Sequence, residues 1–474
     1  MTHIDMPGRS GWMAQIAATL KLGLPLVGAQ LAQLAINTTG VVIIGRLGAV
    51  ELAGVVLSIQ FFFPILHFGS GFSIAIMPII AQAVGRGDRG IVRRYVRTAI
   101  WLSLAYALLV LPLFIYCEPI LILMGQHPDV AEQAASYLHI MGFGIAPALI
   151  FLVLKSFLSG IGRTKIILAV NLVCVALNAF FAYALTLGHF GFPAFGLRGA
   201  ASVALAVEFL FALGLVAYIA LVPDCRAFAL HKPSTTVDRA ALLDVLRHGL
   251  PISLMILSEM GLFSVAAIMI GWIDTLQLAA HGVAMQLVAV AFMVPLGFSQ
   301  AATVRIGLAV GRSDDDGLLR TGITALCIVA VCSAASGLLF ITKAEFLAAL
   351  FVDGTTSDAK RVIALAVPFI TIAGCFQLLD GLQSVGAGLA RGLKDTTIPM
   401  FIALFSYWVV GFGGAYILAF PLHLGGPGIW YGFVAGLGCA AIALNTRFFI
   451  LVAAIRRNAV AQILSNASQS GRHP

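Results

Sequence analysis

The sequence predicts an all-α integral membrane protein, with twelve transmembrane helices in two six-helix lobes related by pseudo-two-fold symmetry. The composition, the spacing of apolar runs and an internal repeat support this prediction. The chain of 474 residues is 60% hydrophobic and 10% charged, whereas an average soluble domain carries about 25% charged residues. Burial in a soluble core cannot explain a mean hydropathy of +1.02.

Apolar runs long enough to cross a bilayer recur along the whole chain, separated by charged or Gly/Pro-rich breaks. A membrane-spanning helix requires about 20 mostly apolar residues. The twelve predicted spans are residues 14–45, 52–82, 95–116, 131–156, 165–187, 197–221, 246–271, 276–303, 319–341, 361–388, 397–420 and 428–454. An even number of spans places both termini on the same side of the membrane.

The distribution of Lys and Arg orients the chain. With both termini in the cytoplasm, 23 of the 28 basic residues fall on the cytoplasmic side, as the positive-inside rule requires. The net charge of +8 therefore reflects membrane orientation. Because the sequence has no basic patch interleaved with aromatic residues, we expect no nucleic-acid partner.

An internal repeat divides the chain into halves. A shift of 226 positions aligns Gly23-Leu24-Pro25 with Gly249-Leu250-Pro251, and Gly71-Phe72-Ser73 with Gly297-Phe298-Ser299. Because each half holds an even number of spans, the halves are parallel repeats related by an axis along the membrane normal. Two lobes facing a central cleft are typical of alternating-access transporters.

The repeat and the polar stretch between its copies predict the domain boundaries. The N-terminal lobe is residues 1–222, the cytoplasmic linker is residues 223–245 and the C-terminal lobe is residues 246–474.

Three acids, Glu208, Glu259 and Asp380, lie well inside predicted spans, where ionisable residues are usually functional. Glu259 is twelve residues from Arg247 and Asp380 is eleven from Arg391, which gives depths of about 18 and 16 Å.

Two neighbouring carboxylates in a low-dielectric lobe cannot both stay ionised without a counter-charge. We therefore expect this pair to bind protons or one cation such as Na⁺, and to couple transport. The alternative is that hydrogen bonds satisfy each acid separately and fix helix packing.

Other polar residues in the spans are candidates for lining a substrate cleft. The set is Gln33, Asn37, Thr38, Asn171, Asn178, Glu208 and Gln286. Asn171 and Asn178 are seven residues apart and share one helix face. Hydrogen bonding between helices is the alternative role for such residues, and for Glu208 a structural role is equally open. The isolated His67, His139 and His281 are interpreted as packed, hydrogen-bonded side chains.

The sequence contains none of the nucleotide-binding, hydrolase or metal-binding motifs that we sought. A P-loop, GxSxG, HExxH and paired-cysteine metal spacing are all absent. We therefore expect a secondary transporter and not an enzyme, with no cofactor other than a coupling ion.

Several motifs resemble those of a known transporter family. They are Gly249-Leu250-Pro251-Ile252 with Glu259, Leu278-Ala279-Ala280-His281, and Gln377-Leu378-Leu379-Asp380-Gly381-Leu382-Gln383 leading to Ala390-Arg391-Gly392. In these motifs the chain resembles the bacterial branch of the multidrug and toxic compound extrusion (MATE) family. The resemblance covers all twelve spans.

This resemblance implies a Na⁺- or H⁺-coupled antiporter that exports small organic cations, drugs and toxic compounds. Glu259 and Asp380 match the family's C-terminal cation-site acids, and Asn178 matches a polar position of its N-terminal lobe. Many members carry an aspartate on the first helix, five residues before the glycine matched by Gly45. This chain has Gly40 there, so we expect the C-terminal acids to carry coupling alone.

Two other functions compete with this expectation. A flippase for a lipid-linked cell-envelope precursor would line its cleft with bases for pyrophosphate, and no predicted span carries Lys or Arg at mid-depth. A non-transporting scaffold or receptor would leave the mid-membrane acids and the repeat without a purpose. We expect a monomer in the bacterial inner membrane, embedded in the lipid bilayer with both termini cytoplasmic.

Overall fold

Long apolar helices dominate the protein. The computed structural model describes residues 11–230, 238–352 and 356–470. Within these ranges every regular element is helical, and 12 helices are long and apolar enough to cross a membrane. The prediction of an all-α membrane protein with twelve spans is therefore confirmed.

The twelve helices follow one another with short connections. They are α1 (Trp12–Ile44), α2 (Ala49–Arg86), α3 (Arg89–Ile115), α4 (Pro128–Gly160), α5 (Thr164–Leu187), α6 (Gly196–Leu221), α7 (Arg239–Ile273), α8 (Thr275–Gly311), α9 (Asp315–Thr342), α10 (Ser357–Gly392), α11 (Thr397–Ala419) and α12 (Gly425–Asn458). The helix of α12 continues to Ser470. Short helices at Cys117–Leu123, Pro223–Arg226 and Ala344–Ala349 lie in the connections.

The junction between α7 and α8 lies at the predicted polar break. Helix α7 ends at Ile273, and Asp274 adopts an extended conformation as the N-cap of α8. Its carboxylate accepts a hydrogen bond from the Gln277 backbone N–H at 3.3 Å, which satisfies one of the donors left unpaired at a helix start. A single capping residue therefore separates the two long helices.

Packing divides the chain into two compact units. Unit 1 contains Leu24–Met260, and unit 2 contains Gly261–Pro474 together with His3–Gly23. The start of α1 therefore packs with helices of the second half, and most of α7 packs with helices of the first half. The linker boundary at 223–245 stays a prediction, and residues 231–237 of it lie outside the described ranges.

A buried arginine explains why the start of α1 belongs to unit 2. Arg305 of α8 is fully buried, and its Nη1 donates to the backbone oxygen of Gln15 at 2.9 Å. Its guanidinium also contacts the side chains of Gln15 and Thr19. A buried guanidinium requires acceptors, and α1 supplies them.

Polar contacts near the start of α7 explain its place in unit 1. Arg94 of α3 forms an ion pair with Asp238, just before α7. The Tyr95 hydroxyl donates to the Asp244 carboxylate at 2.7 Å. Farther along α7, Gly249 packs so closely on Phe72 of α2 that an added Cβ would lie 2.7 Å from its ring.

Candidate coupling and substrate-recognition site

Asp380 lies inside unit 2 at the end of a side-chain hydrogen-bond chain. Its side chain on α10 is 2% exposed. The Tyr407 hydroxyl donates to Gln383 Oε1 at 2.8 Å, and Gln383 Nε2 donates to Asp380 Oδ1 at 3.2 Å. Because Tyr407 engages the amide oxygen, the amide N–H₂ group faces the carboxylate.

Small side chains hold the helices close around Asp380. A Cβ on the adjacent Gly381 would collide with Ser333 of α9. Asn445 of α12 donates to the backbone oxygen of Leu382 at 3.1 Å. The turn that carries Asp380 is therefore fixed from two further helices, which limits the positions its carboxyl can reach.

Tyr407 lies in a π-helical segment of α11, Phe405–Phe412. Such segments shift the register of the following side chains and are frequent at functional sites. Tyr407 itself is fully buried. The sequence alone does not single out Tyr407, because a regular α-helical period gives no sign of the register shift.

A cluster of aromatic rings lies one helical turn before Asp380 on α10. Phe376, four residues earlier, packs against Phe263, Phe433 and Trp430 at centroid distances of 6.1–6.2 Å. Residues four apart lie on the same helix face. An acid beside an aromatic cluster combines charge attraction with the cation–π attraction that favours organic cations.

The three span histidines differ in their contacts. His67 Nδ1 and His139 Nε2 each pair with a backbone carbonyl of the spans, those of Phe63 and Ile115. The His281 ring packs against Trp430 at 5.5 Å, but its buried Nδ1 has no hydrogen-bond partner among the described residues. The interpretation as packed and hydrogen-bonded therefore fits the partly buried His67. His139 is hydrogen-bonded but exposed, and His281 is packed without a hydrogen bond at Nδ1.

Glu259 is half-buried on α7 in unit 1, whereas Asp380 belongs to unit 2. Both acids lie in the interior of candidate spans, as the sequence predicts. A cation or proton shared between them stays a prediction.

The predicted cleft residues differ in accessibility. Asn37 and Thr38 are exposed, Gln33, Glu208 and Gln286 are half-buried, and Asn171 and Asn178 are buried. Asn178 donates to the Ile36 backbone oxygen on α1 at 3.5 Å, so it serves as an interhelical contact. Asn171 donates to Ile167 of its own helix at 2.7 Å, and its buried Oδ1 has no hydrogen-bond partner among the described residues.

Two bases that were counted on the cytoplasmic side are buried between helices. Lys155 of α4 is 5% exposed and Arg305 of α8 is fully buried. Lys155 Nζ donates to Gln30 Oε1 at 2.6 Å. They lie about 7.5 and 9 Å from the C-terminal ends of their helices, by the helix rise. Sequence analysis missed their burial because Lys155 lies at the edge of the predicted span 131–156 and Arg305 lies beyond the predicted span 276–303.

The arrangement around Asp380 suits reversible binding of a cation or proton, because a buried carboxylate receives a directed N–H donor and shares its helix face with a cluster of aromatic rings. Among the described residues, no group of three or more His, Cys, Asp or Glu side chains could hold a metal ion.

The sequence matches the family model MatE over residues 25–184 and 251–417, one segment in each half. The probable multidrug resistance protein NorM of Agrobacterium fabrum is 49% identical over 445 residues, covering 94% of this chain and 96% of that protein. The protein of the same name from Rhizobium meliloti is 49% identical over 443 residues, covering 94% and 95%.

Solved structures agree with this match at the level of the fold. The eukaryotic MATE transporter AtDTX14 superimposes with a TM-score of 0.84 at 18% identity, covering 95% of this chain and all of that one. A multidrug resistance MATE transporter in an outward-facing conformation gives a TM-score of 0.83 at 23% identity, covering 96% and 99%. The matched segments span most of both halves, and the chain therefore belongs to the MatE family of multi-pass membrane transporters.

Proposed function

We propose that this protein is a cation-coupled antiporter that exports small organic cations and drugs across the bacterial inner membrane. Na⁺ or H⁺ drives export, and the protein works as a monomer without any other cofactor. The names of the relatives, which are probable multidrug resistance proteins, support the substrate class.

The observation that carries the coupling proposal is the burial of Asp380 in the hydrogen-bond chain from Tyr407 through Gln383. Charge at this depth in a membrane is unfavourable and is usually functional. With its cation or proton bound, Asp380 is electrically neutral. When the cation leaves, the Gln383 N–H donor faces the charge that remains. Loading and unloading of Asp380 and Glu259 therefore alters the relative stability of the transporter's conformations.

Gradient-driven export tests this proposal. The assay measures uptake of tetraphenylphosphonium into everted membrane vesicles, in which export from the cytoplasmic face appears as accumulation in the lumen. The uptake is driven by a Na⁺ gradient and, separately, by a pH gradient. We expect Glu259→Gln and Asp380→Asn each to abolish gradient-driven transport while the protein still folds and inserts, because neither amide can take up a proton or hold a cation by charge.

Asp358→Asn is the matched control, since Asp358 is an exposed acid in the first turn of the same helix as Asp380. This variant should transport at the rate of the unmodified protein. Full gradient-driven export by Asp380→Asn would refute the coupling role of that acid.

The second candidate function is a flippase for a lipid-linked precursor, because two buried basic residues lie within the helices. Lys155 and Arg305 could attract a pyrophosphate, but both already donate to neutral oxygens of Gln30 and Gln15. Translocation of a lipid pyrophosphate in proteoliposomes, lost in Lys155→Gln, would favour the flippase over drug export.

A further inference from the structure

Glu208 lies at the centre of α6, twelve residues after Gly196 and thirteen before Leu221. At the helix rise of about 1.5 Å per residue, it is about 18–20 Å from either end. This is near the middle of a hydrocarbon layer about 30 Å thick. Nothing in the coupling role proposed for Glu259 and Asp380 uses this acid.

The helix face around Glu208 points into unit 1. Phe211 and Ala212, three and four residues later, are 3% and 7% exposed. Ala204 and Leu205, four and three residues earlier, pack against a buried apolar cluster. Residues three and four positions apart share a helix face, so Glu208 lies on the packed side of α6.

The titratable side chains that interact with Glu208 from other helices carry no positive charge. Its carboxyl interacts electrostatically with Tyr137 on α4 and with Cys174 on α5. Tyr137 and Cys174 come from α4 and α5, and both helices pack against α6. Within the described ranges, none of the ion pairs formed by Lys, Arg or His involves Glu208.

Among the residues that the structure describes, this carboxyl group therefore forms no ion pair with a basic side chain. An ionised carboxylate in an apolar environment is unfavourable unless it is paired with a cation. A proton or a bound cation would therefore neutralise the Glu208 carboxylate. Replacing the proton by a monovalent cation leaves the net charge of the site unchanged.

We propose that Glu208 is a proton-exchange residue of unit 1 that holds a proton when the transporter is empty and releases it when a cationic substrate binds. In this step the carboxyl O–H bond breaks, its electron pair stays on the carboxylate, and the proton leaves to solvent. The positive charge of the substrate then replaces that of the proton. The inference rests on the proposed cation transport, and it gives the first six spans an exchanging acid although position 40 holds glycine.

Proton release on substrate binding tests this role directly. The purified full-length protein in detergent is titrated with tetraphenylphosphonium in weakly buffered solution, and the released protons are counted with a pH indicator. We expect Glu208→Gln to release about one proton fewer per bound cation, and its affinity to depend less on pH, by linkage. Glu132→Gln, at an exposed acid of α4, should match the unmodified protein.

Two results would overturn the role of Glu208. One is unchanged proton release and pH dependence in Glu208→Gln, and the other is binding by the unmodified protein without any proton release. A purely structural Glu208 would give the first result.

If Glu208→Gln fails to fold, Glu208→Asp keeps an acid at this position. Infrared difference spectra taken on cation binding should then show the carboxylic-acid band shifted from that of the unmodified protein, and an unshifted band refutes the proposal.

This binding measurement is independent of the export assay. If gradient-driven export fails in the unmodified protein while Glu208→Gln still alters proton release, the antiport proposal falls and the Glu208 site stands. If export requires Asp380 but Glu208→Gln releases the normal number of protons, only the Glu208 site falls.

Discussion

The orientation of the Gln383 side-chain amide determines which of its groups faces the buried Asp380 carboxylate. An amide offers either an acceptor or two donors, depending on which way it is turned. Tyr407 donates to the Gln383 oxygen, so the amide turns its N–H₂ group to the carboxylate. A tyrosine on α11 therefore influences an acid on α10 through the Gln383 amide that lies between them.

Removal of the Tyr407 hydroxyl should weaken cation coupling without abolishing it. In Tyr407→Phe the buried Gln383 oxygen loses its donor, and an unsatisfied buried group costs about 1–3 kcal/mol. We expect the apparent affinity for the coupling ion to change by about tenfold, which corresponds to about 1.4 kcal/mol. The measurement is the initial export rate as a function of Na⁺ or H⁺ concentration.

Tyr416→Phe provides the control, because Tyr416 lies on the same helix and is 49% exposed. Its ion dependence should equal that of the unmodified protein. An unaltered ion dependence in Tyr407→Phe would mean that the hydrogen-bond chain does not support Asp380 during transport.

The site residues differ in how far the sequence could predict them. Asp380 was predictable because an acid within an apolar span is conspicuous. Gln383 lies three residues later on the same helix face. The involvement of Tyr407 was not predictable, since it depends on the π-helical register of α11. Arg305 was assigned to a cytoplasmic loop because the predicted span ended at residue 303, whereas α8 continues to Gly311.

At the scale of whole helices, the number and order of spans were predictable and the helix ends were less so. Hydropathy identifies the apolar segment that can lie in lipid. A helix can extend beyond that segment wherever its backbone hydrogen bonds and side-chain packing allow, so its ends differ from those of the apolar run. Helix α7, predicted from residue 246, begins at Arg239. Its first turns include the charged residues Arg239 and Asp244, and contacts with α3 hold this end of the helix. A local sequence pattern does not predict such contacts.

The start of α7 should depend on pH through Asp238. Hydrogen bonding from the Ala241 backbone N–H and then the Arg94 side chain lowers the pKa of Asp238 below its ordinary value of 3.8. A lowered folded-state pKa means that this stabilisation is complete above pH 3.8 and is lost as pH falls through the folded-state value. We therefore expect the melting temperatures of Asp238→Ala and the unmodified protein to differ most near neutral pH and to converge in acid.

Asp238→Asn separates the two contributions, because an asparagine can still cap the helix but cannot form the ion pair. Its melting temperature should lie between those of the unmodified protein and Asp238→Ala near neutral pH. A difference between Asp238→Ala and the unmodified protein that grows as pH falls would contradict the assignment of a lowered pKa.

At the scale of the whole molecule, the repeat predicts more than two similar halves. Gly23 and Gly249 are equivalent under the 226-residue shift, as are Phe72 and Phe298. In unit 2 a Cβ on Gly23 would collide with the Phe298 ring, and in unit 1 a Cβ on Gly249 would lie 2.7 Å from the Phe72 ring. The first helix of each half thus packs on the second helix of the other half, by the same contact. A sequence repeat alone reveals the equivalence of these residues but not which half each contacts.

This equivalence predicts matched effects of two substitutions. Gly23→Ala and Gly249→Ala each force a methyl group against a buried phenylalanine ring, and overpacking of this kind costs about 1–3 kcal/mol. The better helix propensity of alanine offsets about 1 kcal/mol of that. We expect both variants to lower the melting temperature in detergent by similar amounts.

Gly40→Ala and Gly271→Ala, in the same two helices, serve as controls because an added Cβ meets no atom closer than 3.6 Å at either position. These two variants should not lower the melting temperature. Destabilisation by only one of the pair would show that the two contacts do not contribute equally, despite their equivalence in the repeat.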